Sequence, residues 1–225
     1  MNFKTEQEIQ LTLRAFCHDI GASLRSAQGF SSLLLERKNE LLDEKSCRWL
    51  KLIKESGEHG QKISSALHSY ARLFALEQDK LPVNLESIAK DVASNLQAQH
   101  PCLNYTIATL PTIQGYAPLW HMFFDALLLN VVTHGSEDDS LSLHCYISST
   151  HKDGTVTILI DDDGQGIKNG HYEQALQPFH SLNSSKLHAG FGLNICQRIT
   201  ELHDGELALM ASPYKGLRVS ATLAV

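Results

Sequence analysis

Apolar residues recur along the first third of this chain with the period of a helix. Phe16, Ile20, Ser23, Ala27, Phe30 and Leu34 are spaced 4, 3, 4, 3, 4, the alternation of a heptad seam that buries one stripe against partner helices. Trp49, Ile53, Ser56, Gly60, Ile63, Leu67, Tyr70 and Phe74 repeat the same alternation. No proline interrupts either run, so the pattern predicts one helix over about 5–42 and a second over about 43–78. Two uncapped runs longer than about 25 residues indicate a coiled coil or bundle. A hairpin of two such helices cannot cover its own apolar stripe, which predicts two hairpins pairing into a dimeric four-helix bundle. Gly21, Gly57 and Gly60 each cost a helix about 1 kcal/mol relative to alanine. They serve either close helix approach or local bending, and the pattern does not choose between these.

Beyond Asp79 the pattern changes, and Leu81-Pro82 reads as a short linker. Helices are expected over about 85–97, 119–132 and 192–203, the last closing near Gly205 as a C-cap. Strands are expected over about 105–108, 141–148, 155–160, 206–210 and 217–223; in the third, Val156, Ile158 and Ile160 alternate and end directly on three aspartates. Mixed helices with a largely antiparallel sheet give an α+β sandwich as the second domain. The expected boundaries are 1–80 for the helical hairpin and 81–225 for the sandwich.

Composition narrows the setting. With 225 residues the chain has room for two modest domains, and a formal charge of −6 argues against a nucleic-acid partner. Five scattered cysteines, Cys17, Cys47, Cys102, Cys145 and Cys196, have neither CxxC nor metal-ligand spacing. They read as reduced thiols in a cytoplasmic protein. No window approaches 18 continuous apolar residues and the first ten lack a signal-peptide core, so neither a membrane span nor an evident sensor is expected.

Candidate chemistry lies in both domains. His18 falls off the heptad seam, so its imidazole should face outward beside Asp19. A carboxylate holding one ring nitrogen leaves the other free as a nucleophile. On spacing alone, a surface histidine followed by an ordinary acidic residue carries more weight, since the chain has 12 histidines. Downstream, Asp162-x-Gly164-x-Gly166 leaves a strand end into a tight turn, where a carboxylate can accept from an exocyclic amine and missing side chains let a nucleotide approach. Asn130 offers an oxygen suited to Mg²⁺, and Gly190-Phe191-Gly192-Leu193 opens a helix whose free N–H groups can receive phosphates. Taken singly, an acidic turn, a satisfied polar group and a flexible loop explain these residues equally well.

Order and spacing add to them. A helix with Asn130, a strand with DxGxG, a loop with PFH at 178–180, then GFGL and a helix, resembles the catalytic ATP-binding domain of sensor histidine kinases, within the Bergerat-fold ATPases. Upstream, HDIGASLRSAQGFSSLLLE and EKSCRWLKLIKESGEHGQKISSALHSYARL resemble the dimerisation and phosphoacceptor hairpin of phytochrome-related kinases. The resemblance implies that His18 accepts phosphate and Asp19 orients it. It assigns Mg²⁺ to Asn130, adenine to Asp162, and the shape of the ATP pocket to Gly164 and Gly166. Phe179 would precede a lid over about 181–189, with Lys186 as its phosphate-facing cation and Gly190 and Gly192 beyond it. The implied protein is a cytoplasmic, homodimeric histidine kinase core that uses ATP and Mg²⁺, donates to a response regulator receiver domain, and takes its signal from a separate sensor protein.

Departures from the family pattern keep a second class of function in view. Ala126 stands where an earlier asparagine is common, Thr133 where a lysine is frequent, Ser23 for the usual proline, Ala22 for Thr or Asn, and His188 for the first glycine of GxGxGL. The alternative is a histidine phosphotransferase of a phosphorelay, with a degenerate kinase-like domain that uses no ATP. Intact DxGxG and GxG favour the kinase. A third reading, a scaffold that binds ATP without labelling His18, differs from both.

Overall fold

The computed structural model describes residues 3–38, 41–73, 79–135, 142–167, 171–177 and 190–224. They fall into two compact units, a helical hairpin and an α/β domain.

The hairpin consists of α1 (Phe3–Lys38) and α2 (Glu44–Arg72). Asp43 caps α2, its carboxylate accepting from Ser46 N at 2.7 Å, and Glu44 adds negative charge to the first turn. The two helices meet along a stripe displaced by one residue from the apolar seam. On α1 it comprises Cys17, Gly21, Leu24, Gln28 and Ser31. Ser64 Oγ donates to the Cys17 carbonyl at 2.8 Å, and Gln61 Nε2 donates to Gln28 Oε1 at 2.6 Å. A Cβ added at Gly60 would lie 2.7 Å from Leu24 Cδ1, and one at Gly57 would lie 3.2 Å from Gln28 Cβ. Close approach is thus the role of these two glycines. The seam itself stays uncovered within one hairpin: Phe16 is 57% exposed, Phe30 68% and Trp49 54%.

The α/β domain runs β1 (Leu81–Asn84), α3 (Leu85–Gln99), β2 (Leu103–Ile107), β3 (Thr112–Gly115), α4 (Ala117–His134), β4 (Leu143–Lys152), β5 (Thr155–Asp162), a single turn α5 (Tyr172–Ala175), α6 (Gly192–Leu202), β6 (Glu206–Ala211) and β7 (Leu217–Ala224). Five strands form one sheet in the order β2-β4-β5-β7-β6, parallel between β2 and β4 and antiparallel elsewhere. One sheet face, with Cys145, Ile147, Val156, Ile158, Ile160, Val219, Ala221 and Leu223 buried, is covered by helices. Helix α4 is the central one, burying Leu119, Trp120, Phe123, Phe124, Leu127, Leu128 and Val131.

Two expectations need correction. Leu81-Pro82 is no linker: β1 pairs antiparallel with β3 in a separate two-stranded sheet, with Pro82 opposite Gln114. A proline is tolerated there because the pair has only edges. Helix α6 does not use Gly205 as a left-handed cap; the positive φ of 59° falls on Asp204. Gly205 answers to crowding instead, since a Cβ there would sit 2.4 Å from the Thr222 carbonyl.

His203, at the end of α6, joins that helix to the start of α4. Its Nδ1–H donates to the Ile199 carbonyl at 2.7 Å, while Nε2 accepts from Tyr116 N and Trp120 Nε1, both at 3.2 Å. Two donors aimed at Nε2 require a neutral ring, and burial holds the pKa below its ordinary 6.5. The Lys80 charge also lowers it, whereas the Ile199 bond and Asp204 act oppositely. A histidine with a lowered folded pKa contributes stability that is present above pH 6.5 and lost as pH falls through the folded value. The slope is about 1.4 kcal/mol per pH unit inside that window. We expect the urea midpoint of the α/β domain to fall between pH 7.5 and 5.5, and His203→Gln, which keeps an acceptor that does not titrate, to flatten the fall. Equal slopes would remove His203 as its source.

Candidate functional site

In the hairpin, His18 lies on the exposed side of α1, its side chain 79% accessible, as its place off the seam predicts. Asp19 Oδ1 lies 3.1 Å from His18 Nδ1. A carboxylate only accepts, so this contact uses Nδ1–H and leaves Nε2 as the ring nitrogen that Asp19 does not engage. Ser23 Oγ donates to the Asp19 carbonyl at 3.1 Å, so the serine in the usual proline position bonds back within its own helix.

In the α/β domain the three aspartates ending β5 divide their work. Asp161 projects to the open sheet face and pairs bidentately with Arg218, at 2.7 and 2.9 Å. Asp163 turns back to β4, its Oδ1 accepting from His144 N at 2.8 Å. Asp162, 7% exposed, projects between them to the helix side. Its Oδ1 accepts from Gly164 N at 2.9 Å and Leu217 N at 3.2 Å. Oδ2 receives no donor among the described residues. Burial raises the Asp162 pKa above the ordinary carboxylate value, the two backbone N–H groups lower it, and Asp163 and Asp161 add further upward pushes.

Glycines shape the space around this carboxylate. A Cβ at Gly164 would lie 2.6 Å from Gly135 Cα. Gly166 has φ +65°, and a Cβ there would lie 2.9 Å from Gly216 O, so it needs both glycine's freedom and its size. Gln165 then locks the turn to the end of α4, donating from N to Gly135 O at 3.0 Å and from Nε2 to His134 O at 2.8 Å. This fixes α4, and with it Asn130, relative to Asp162. Asn130 is half-buried one turn beyond Ala126, and the Ala126 carbonyl lies 3.7 Å from where a Gly192 Cβ would be. Gly190, with φ +66°, leads into α6 at that point.

Thus Asn130, Asp162, Gly164, Gly166, Gly190 and Gly192 belong to one domain, along α4, the β5 turn and the start of α6. Phe179, Lys186, His188 and the expected lid over 181–189 lie outside the described residues. Pattern reading missed Gly135, Gly216 and the Leu217 N–H. A Cβ at Gly216 would fall on Asp162 Oδ1, yet the two are far apart in sequence. Only the turn-like Pro213-Tyr214-Lys215-Gly216 hinted at that hairpin.

Residues 116–225 match the family described as histidine kinase-, DNA gyrase B-, and HSP90-like ATPase. Most of the chain aligns with the histidine protein kinase DivJ of Caulobacter vibrioides, 22% identical over 219 residues, covering 92% of this chain and 36% of DivJ. The chain is thus similar to the cores of histidine kinases. The alginate biosynthesis sensor protein KinB of Pseudomonas aeruginosa is 31% identical over 101 residues, which is 45% of this chain and 16% of KinB. The core therefore spans between about a sixth and a third of these two relatives' lengths. Among solved structures, the ATP binding domain of PrrB from Mycobacterium tuberculosis matches with a TM-score of 0.54 at 24% identity, covering 65% of this chain and 98% of that one. Full-length ShkA in complex with AMPPNP matches with a TM-score of 0.62 at 20% identity, covering 94% of this chain and 45% of that one. The first agrees with the sandwich fold, and the second extends over hairpin and sandwich together. None of the five cysteines is in a disulfide, and among the described residues no helix is long and apolar enough to cross a membrane.

Proposed function

We propose that this core phosphorylates its own His18 from ATP and passes the phosphoryl group to an aspartate of a response regulator receiver domain. Residues 1–80 serve as the dimerisation and phosphoacceptor domain and 81–225 as the catalytic ATP-binding domain, working as a cytoplasmic homodimer. His18 Nε2 attacks the γ-phosphorus, the bond to the β-phosphate oxygen breaks, and that oxygen leaves with the electron pair on ADP. Asp19 keeps the proton on Nδ1 and stabilises the positive charge that grows on the ring. Asp162 Oδ2 accepts from the exocyclic amine of adenine, and the glycines at 164, 166 and 216 leave room for the base. Asn130 would supply one oxygen to Mg²⁺, a hard cation that would screen the phosphate charge when bound. Gly190 and Gly192 serve the phosphate end, and the family likeness alone gives Phe179 the role of the aromatic before the lid and Lys186 that of its phosphate-facing cation. The receiver domain docks on the hairpin near His18, because its aspartate must reach the same nitrogen.

The observation that carries this reading is the outward His18–Asp19 pair in one chain with a buried Asp162 that has an oxygen to spare. The narrower, phytochrome-related likeness rests on the hairpin motif alone. A second reading, transfer between regulators without ATP, draws on Ala126, which occupies the turn of α4 against Gly192 with no polar side chain to offer a nucleotide. Incubation with Mg²⁺ and γ-labelled ATP separates the two. The kinase reading expects phosphate that is lost in acid, kept in base, and mapped to the peptide carrying His18. No label from ATP, with label acquired from a phosphorylated receiver domain, would make this core a phosphotransferase.

A further inference from the structure

The open face of the sheet carries an aromatic stack that neither the ATP pocket nor the hairpin accounts for. His144 and Tyr146 lie on the same face of β4 with ring centroids 4.2 Å apart and planes 13° apart. Tyr214, from the β6–β7 turn, stacks on Tyr146 at 4.0 Å and 21°. Since β5 runs between β4 and β7, Tyr214 bridges over the strand that holds Asp161. This explains why Asp161, on the open face, is only 3% exposed.

Both ends of the stack lead to Asp162. At one end, the turn that carries Tyr214 continues into Gly216 and Leu217. Gly216 N donates to the Asp162 carbonyl at 3.2 Å, and Leu217 N donates to Asp162 Oδ1. At the other end, His144 N donates to Asp163 Oδ1, and Asp163 N donates to the His144 carbonyl at 3.2 Å. Contacts therefore close a circuit from Asp162 through the turn, Tyr214, Tyr146 and His144 to Asp163 and back. The turn has strain to resist, since Lys215 holds φ +87° without being glycine.

We propose that Tyr214 is a positioning residue for nucleotide selection, holding the β6–β7 turn so that Oδ1 of Asp162 stays bound to Leu217 N and Oδ2 stays aimed at the base. The inference rests on the adenine-reading role given to Asp162 above. Stacked rings suit this task because they resist shear through broad contact area while leaving the pocket side untouched. Tyr214 is 44% exposed, so its replacement leaves the core intact.

The test compares binding of ATP and ITP, which has a 6-oxo group in place of the 6-amino group, to the whole chain and to Tyr214→Leu and Tyr214→Phe. The parent should prefer ATP. Tyr214→Leu should shrink that preference roughly three- to tenfold, the range of one hydrogen bond made less often, and Tyr214→Phe should restore it. A parent without preference would overturn the adenine reading and this inference with it. A parent that prefers ATP beside a Tyr214→Leu variant of undiminished preference, including one that loses affinity for both nucleotides alike, would overturn this inference alone.

Discussion

Asp162→Asn should weaken ATP binding by roughly ten- to a hundredfold while making the α/β domain harder to unfold at neutral pH. The loss follows from the division of labour between the two oxygens. Oδ1 is occupied by Gly164 N and Leu217 N, and the asparagine carbonyl can replace it there, which places the amide NH₂ where Oδ2 was. A donor then faces the donor of adenine. Losing a hydrogen bond to a charged group costs about 1.5–3 kcal/mol, hence the expected factor. The gain in stability follows from burial, which raises the Asp162 pKa. A carboxyl whose folded pKa is raised is favourable below its ordinary value and loses that contribution as pH rises through the folded value. At pH 7.5 the ionised group thus opposes folding, and the neutral amide removes that cost. Calorimetric titration with ATP and thermal unfolding at pH 7.5 measure the two halves. Unchanged affinity would take adenine away from Asp162, and a lowered melting point would mean that its charge is better paired than its surroundings indicate.

What the sequence made legible follows the reach of each signal. The two long helices, the β5 strand ending on aspartates and the helix opened by Gly192 all rest on periodicity or on short motifs, and all appear in the structure close to their expected bounds. His18 was placed outward by its angle off the seam, and it is outward. The elements that escaped are those whose signal is short or tertiary. Strands β1 and β3 have four residues each, too few to show alternation, and Pro82 argued against a strand until the edge pairing was seen. Of the three aspartates, composition could not say which faces the pocket. The strand's alternation puts Asp162 on the face of Ile158 and Ile160, and the register with Arg218 and His144 assigns the other two. The stripe joining α1 to α2 was hidden for a different reason. Apart from Cys17 and Leu24 it is built from glycine, glutamine and serine, so it carries little apolar pattern, whereas the apolar seam one residue away faces out of the hairpin.

That displaced seam gives the second large effect: Phe30→Asp should turn a dimer into monomers. Within one hairpin the helices share hydrogen bonds such as Gln61 to Gln28 and Ser64 to Cys17, and close contact at Gly57 and Gly60. Such an interface carries little hydrophobic free energy, while Phe16, Phe30 and Leu34 on α1 and Trp49 and Ile53 on α2 remain more than 40% exposed. Each of these rings and branched chains contributes about 1.5–3 kcal/mol when buried, so the seam is where the hairpin finds its stability. A second copy presents the same stripe, and twofold pairing lets each face cover the other. The same symmetry counts a substitution twice. An unpaired carboxylate at position 30 costs several kcal/mol per copy in an apolar seam, so two of them amount to at least about 6 kcal/mol, more than four orders of magnitude in the dimer constant. Sedimentation should show monomers at concentrations where the parent is dimeric. Helicity should fall with dissociation, since a hairpin without its seam covered has little to hold it, whereas ATP affinity of the separate α/β domain should be unchanged. A Phe30→Asp dimer as tight as the parent would show that the hairpins join through another face, and a monomeric parent would remove the dimer itself.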